Sequence, residues 1–89
     1  MTELKAIYDA RASFYGKAQI IETNNKIILK SYNTDILEFD KTSKTIRFLT
    51  HNKNHFTMTT NRHINEFLQQ YTNEQPKSKT QLLKMADVI

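Results

Sequence analysis

Met58-Thr59-Thr60-Asn61-Arg62-His63-Ile64-Asn65-Glu66-Phe67-Leu68-Gln69-Gln70-Tyr71 decides the fold. Ile64, Phe67, Leu68 and Tyr71 recur at i, i+3, i+4 and i+7, which sets four apolar side chains on one stripe of an α-helix. A threonine hydroxyl at its start can accept from a free N–H of the first turn, so Thr59 or Thr60 is the expected N-cap of a helix over about 60–71. An amphipathic helix needs a surface to cover, and the residues before it read as strands.

Working back from the helix, the chain alternates apolar and polar residues in short runs. Asn24-Asn25 separates Phe14–Thr23 from Lys26–Lys30 and suits a two-residue hairpin turn, because Asn tolerates positive φ. That turn sets Ile20 against Leu29, Ile21 against Ile28 and Glu22 against Ile27. Phe14, Ala18, Ile20, Ile27 and Leu29 then share the buried face, with Ile21 and Ile28 on the other side. Ser31-Tyr32-Asn33-Thr34 bends the chain into Asp35–Asp40, where Leu37 and Phe39 alternate with charge. Lys41–Lys44 is a polar turn before Thr45–Thr50, with Ile46 and Phe48 on one face. His55–Met58 reads as a fifth strand or an extended lead-in to the helix. The expectation is an α+β domain, an antiparallel meander of four or five strands covered by one helix.

The ends read as short helices. Thr2 can cap a helix over 2–12 that carries Leu4, Ile7 and Tyr8 on one face. Pro76 stops the main helix. Ser78-Lys79-Thr80-Gln81 has the spacing of a capping box, and Leu82, Met85, Ala86 and Ile89 form a stripe behind it. One domain spans residues 1–89, with a core over 13–71, an N-terminal segment 1–12 and a C-terminal tail or helix 76–89.

Composition narrows the chemistry. There is no cysteine and one glycine, Gly16, so thiolate metal sites, disulfides and Gly-rich phosphate loops are absent. No apolar run approaches the ~20 residues that span a bilayer. The start, Met1–Lys5, lacks the basic and apolar blocks of a signal peptide. A cytoplasmic protein without membrane contact is the expectation. The net charge is +4 and the pI 9.4, a balance that favours nucleic acid or another polyanion. The cations are scattered from Lys5 to Lys84, which also suits a plain solvated surface.

Catalytic groupings are thin. His51, His55 and His63 could bind zinc only if a turn held the first two rings on one side. Asn54 and His63 faintly echo ββα metal nucleases, without a histidine placed as general base. Glu38 and Asp40 share a strand face, whereas strict alternation puts Asp35 on the other. The reading is therefore non-enzymatic, with no cofactor and no metal. Tyr15, Lys17, Lys30, Tyr32 and Arg47 set aromatics beside cations on strands, as sheet-face binders of single strands do. Lys17 and Tyr32 become cross-strand neighbours in the proposed register, with Lys30 nearby.

Three stretches carry a resemblance: Ser13-Phe14-Tyr15-Gly16-Lys17-Ala18, Ser31-Tyr32-Asn33-Thr34, and Thr59-Thr60-Asn61-Arg62-His63-Ile64-Asn65-Glu66-Phe67-Leu68-Gln69. They resemble a widespread family of small uncharacterised proteins of phages, plasmids and other mobile elements of Gram-positive bacteria. In that family a Tyr-Gly-Lys-Ala strand, a Ser-Tyr-x-Thr strand and a Thr-Thr-x-Arg-His-Ile-x-Glu-Phe-Leu helix recur in this order. The chain departs at Leu37, where a small residue is usual, and at Thr57-Met58, where Ser-Pro is usual. The resemblance implies a mobile-element accessory protein and supplies no activity.

One local arrangement asks for a partner. Arg62 lies off the stripe near the positive end of the helix dipole, where a cation needs an anion. Glu66 at i+4 can supply it. Otherwise Thr59, Thr60, Arg62 and His63 form an anion site with the free N–H groups. Two function classes follow: a nucleic-acid-associated accessory protein, and a protein-binding inhibitor of a host defence system such as a CRISPR nuclease. A metal-dependent nuclease is the third. Ile21 and Ile28, or Leu82, Met85 and Ile89, could each form a homodimer face.

Overall fold

The computed structural model describes residues 2–5 and 17–88. Five strands form one antiparallel sheet in chain order: β1 (Thr2–Glu3), β2 (Ala18–Glu22), β3 (Lys26–Ser31), β4 (Thr34–Asp40) and β5 (Thr45–Phe48). A 3-10 turn, Lys53–His55, leads into α1 (Met58–Tyr71), and α2 (Lys79–Met85) follows. The α+β meander under a helical lid is the architecture that the sequence predicts. Phe14, Tyr15, Gly16 and the remainder of the N-terminal helix expected over 2–12 lie outside the described residues.

The β2–β3 register is the expected one, with Ile20 on Leu29, Ile21 on Ile28 and Glu22 on Ile27. Its turn works differently. Neither Asn24 nor Asn25 takes a positive φ. The Thr23 N–H donates to Lys26 O at 2.9 Å, and the Thr23 hydroxyl accepts the Lys26 N–H at 3.2 Å. The fifth strand lies at the start of the chain rather than at His55–Met58. Thr2 pairs with Ile20, Glu3 with Gln19, and the Leu4 N–H reaches Ala18 O, which buries Leu4. Strand pairing claims Thr2, so it does not cap a helix.

β4 carries one residue more than its partner. Leu29 pairs with Leu37 and Lys30 with Asp35, leaving Ile36 as a bulge. Both Ile36 and Leu37 are buried as a result. The extra residue also resets the alternation, so Asp35 falls on the outer face with Glu38 and Asp40, against the expectation from strict period two. The inner face shows Ala18 and Ile20, then Ile27 and Leu29, then Leu37 and Phe39, then Phe48, all buried in one cluster with Ile64, Phe67 and Leu68 of α1. Full burial of each Ile, Leu or Phe side chain among them contributes about 1.5–3 kcal/mol. Tyr71 packs on the rim, its ring 5.1 Å from Phe67.

α1 begins two residues earlier than its stripe predicts. Thr57 is the N-cap, in extended conformation, and its hydroxyl accepts the Thr60 N–H at 3.2 Å. Thr59 and Thr60 therefore sit inside the first turn. Asn65 exchanges two side-chain hydrogen bonds with the Lys77 backbone and so ties α1 to the segment before α2. α2 has the predicted capping box on Ser78 and Gln81. It docks on the core through Leu82 and Ala86, while Met85 stays exposed.

Candidate functional site

The inner row of β3 runs Ile27, Leu29, Ser31, and its last member is a hydroxyl. Opposite it stand Thr60 and His63, three residues apart on one side of the first turns of α1. Ser31, Thr60 and His63 are 2%, 3% and 0% exposed. Ser31 Oγ lies 2.9 Å from Thr60 Oγ1 and 2.7 Å from His63 Nδ1. A serine has one proton to give. If Nδ1 accepts it, Thr60 must donate to Ser31, and the three side chains form a directed chain. Ser31 and His63 have the atoms of a nucleophile and its base. Both are buried, however, and Thr60 occupies the hydroxyl, so the arrangement works as a latch between strand and helix.

Tyr32 follows Ser31 in the turn and takes φ 55°, the left-handed region, which costs a tyrosine about 1–2 kcal/mol. The conformation lifts its ring to the surface, 49% exposed, with the centroid 6.0 Å from the His63 ring. Lys17 is held there twice. Its carbonyl accepts the Tyr32 N–H at 2.7 Å, and its Nζ stands 5.9 Å from the Tyr32 ring centroid, within cation–π range. Beside the ring is a hollow of about 200 Å³ lined by Ser31, Tyr32, Thr34, Asn54, Thr57 and Thr60 among others. Met58, 73% exposed, follows Thr57 at its rim.

The structure thus brings together Lys17, Tyr32, Thr60 and His63. Thr59 and Arg62 are half-buried on the same turns, and neither lines the hollow beside Tyr32. Arg62 makes no ion pair among the described residues, and Glu66, which accepts from Gln70 Nε2, is not its partner. Lys30 is not part of the cluster. Its register partners are Gln19 and Asp35 on the outer face, because side chains on β3 alternate and Ser31 points inward. Ser31 is the member that residue-by-residue reading omits, although the inward row Ile27, Leu29, Ser31 marks it.

Other polar groups serve the fold. Glu38 is buried on the outer face between Lys26 Nζ at 2.9 Å and Arg47 Nη2 at 2.8 Å. The hydrogen bond from Lys26, then that from Arg47, holds its carboxyl below the ordinary value against the opposing effect of burial. The Ser43 and Thr42 N–H groups lower Asp40 by closing the β4–β5 turn on its carboxylate. Burial raises the Tyr71 phenol, and the Glu22 charge adds to the effect. The histidines have separate partners: His51 Nδ1 the Ala86 carbonyl, His55 Nδ1 the Thr50 hydroxyl, His63 Nδ1 the Ser31 hydroxyl. Among the described residues no three His, Asp or Glu side chains gather as metal ligands, and no helix is long and apolar enough to cross a membrane.

Neither a curated protein nor a solved structure matches the chain. One family model does, over residues 2–83, and by that match the chain belongs to the Family of unknown function (DUF8033).

Proposed function

We propose that the protein is a non-enzymatic, cytoplasmic accessory protein of a mobile element that contacts single-stranded nucleic acid at the corner where β3 meets α1. The observation that carries this reading is Tyr32: an exposed ring, raised on a left-handed backbone, with the Lys17 ammonium beside it. A base stacks on such a ring for about 1–3 kcal/mol, and a cation at that distance reaches its phosphate. The outer sheet face suits this role less well, because two of its cations, Lys26 and Arg47, are engaged by Glu38.

Fluorescence anisotropy with labelled oligo-dT and oligo-rU tests the reading. Tyr32→Ala weakens binding by roughly 5- to 150-fold. Lys17→Ala lowers the salt slope by about one. Absence of salt-sensitive binding at tens of micromolar protein, or a Tyr32→Ala variant that binds as the parent does, would falsify it.

Met58 favours a second reading, a protein-binding inhibitor of a host defence system such as a CRISPR nuclease. Its side chain is the most exposed large apolar group described, next to the rim of the same hollow. A pull-down from host lysate with and without nuclease treatment separates the two. Partners that survive treatment and are lost with Met58→Asp support inhibition, and partners that vanish on treatment support nucleic acid.

A further inference from the structure

At the other end of α1, about 21 Å from Thr57, the lid and the sheet diverge. They leave a groove of about 620 Å³ between the β4–β5 hairpin and the segment after α1. Phe39, Ile46 and Tyr71 give it an apolar lining, and Lys44, Gln70 and Thr72 lie at its margin. The groove runs beside β5, the last strand of the sheet. No described strand pairs with the far side of β5, so alternate residues there turn N–H and C=O groups outward. The strand has no proline and no bulge to blunt that edge.

We propose that this edge binds an extended peptide segment in which acidic residues alternate with apolar ones, added as a sixth strand. A strand placed about 4.8 Å from β5 has inward side chains level with Ile46, and these enter the groove against Tyr71. Its outward side chains are level with Arg47. The Arg47 side chain is 73% exposed and already shows what it takes across a strand: Nε and Nη2 donate to Glu38 at 3.2 and 2.8 Å. Its other nitrogen makes no hydrogen bond to a described residue and faces a choice of partner that only an acceptor satisfies. Lys44, at the hairpin end, has no ion pair among the described residues, while Glu74 on the opposite margin is engaged by Lys77 at 2.9 Å. Lys26 and Arg47 share the single Glu38 carboxylate, and Asp40 accepts the Thr42 and Ser43 N–H groups, so Lys44 is the cation of this hairpin left without a carboxylate among the described residues. A second copy of the chain pairing edge to edge brings Arg47 and Lys44 of both copies onto one seam, which like charges oppose.

The test is a titration of the isotope-labelled full chain with the capped peptide Glu-Val-Glu-Leu-Glu-Thr, followed by amide resonances. The acidic peptide moves the resonances of Lys44–Phe48 and Tyr71–Glu74. A peptide with lysine for each glutamate binds about tenfold more weakly. Backbone N-methylation of the acidic peptide abolishes the shifts. Arg47→Gln or, at an exposed turn, Lys44→Gln weakens the binding. Equal response to the lysine peptide, no response at millimolar peptide, shifts confined to Tyr32 and Thr57, or a concentration-dependent dimer through β5 would each overturn the proposal. The site at Tyr32 is independent of it, so oligonucleotide binding persists whichever way this titration falls.

Discussion

Ser31 shows how one side chain can serve two elements. Its hydroxyl is the meeting point of Thr60 and His63, and each of those groups is out of water. Ser31→Ala removes a single oxygen yet withdraws a partner from two buried polar groups. The expected cost is about 1–3 kcal/mol, read as a lower urea midpoint with the same m-value. This position was legible in part. Alternation along β3 puts residue 31 on the inner face, so a hydroxyl there should have a partner. Which partner depends on where α1 crosses β3, and a tertiary distance of that kind leaves no trace in local spacing. Tyr32, Lys17, Thr60 and His63 were each readable as candidates. Their convergence depends on the crossing, which also sends Lys30 to the far side.

Element boundaries follow a competition that the sequence states only incompletely. Thr57, Thr59 and Thr60 can each cap a helix, and the pull of Ser31 on the Thr60 side chain leaves Thr57 as the cap. Thr57→Ala therefore costs about 0.5–2 kcal/mol, whereas Thr59→Ala stays within about 0.5 kcal/mol; thermal melts of the two variants make the comparison. The β2–β3 register was fully readable, since a two-residue connection fixes every pair beyond it. The Ile36 bulge was not. Period-two reasoning assumes no extra residue, and Ile36 is an ordinary strand former that gives no sign of insertion. Its effect on Asp35 follows directly, because one added residue exchanges the two faces of a strand.

For the molecule as a whole, charge balance changes with pH. The chain carries +4 at neutrality, and protonating carboxylates adds to self-repulsion. Glu38 and Asp40 both have folded-state pKa values below their ordinary ones. The unfolded chain therefore takes up protons first as pH falls. The stability supplied by Glu38 is complete above its ordinary value of 4.5 and is lost as pH drops through the lowered folded value. Melting temperatures measured stepwise below that pH should fall less steeply for Glu38→Gln than for the parent. A variant with an unchanged acid slope would assign the acid sensitivity to Asp40 and the other carboxylates.

The order meander first, lid second also bears on synthesis. A ribosome completes β2 through β5 before any of α1 exists. At roughly 5–20 residues per second, the stretch from Leu49 to Tyr71 takes on the order of one to five seconds. For that interval Ile27, Leu29, Leu37 and Phe39 lack the Ile64, Phe67 and Leu68 side chains that they pack against in the folded protein. The first part of α1 to emerge is Thr57 to His63, the part that fastens to Ser31. In the order of synthesis, the point of attachment to Ser31 thus precedes the apolar stripe of the lid.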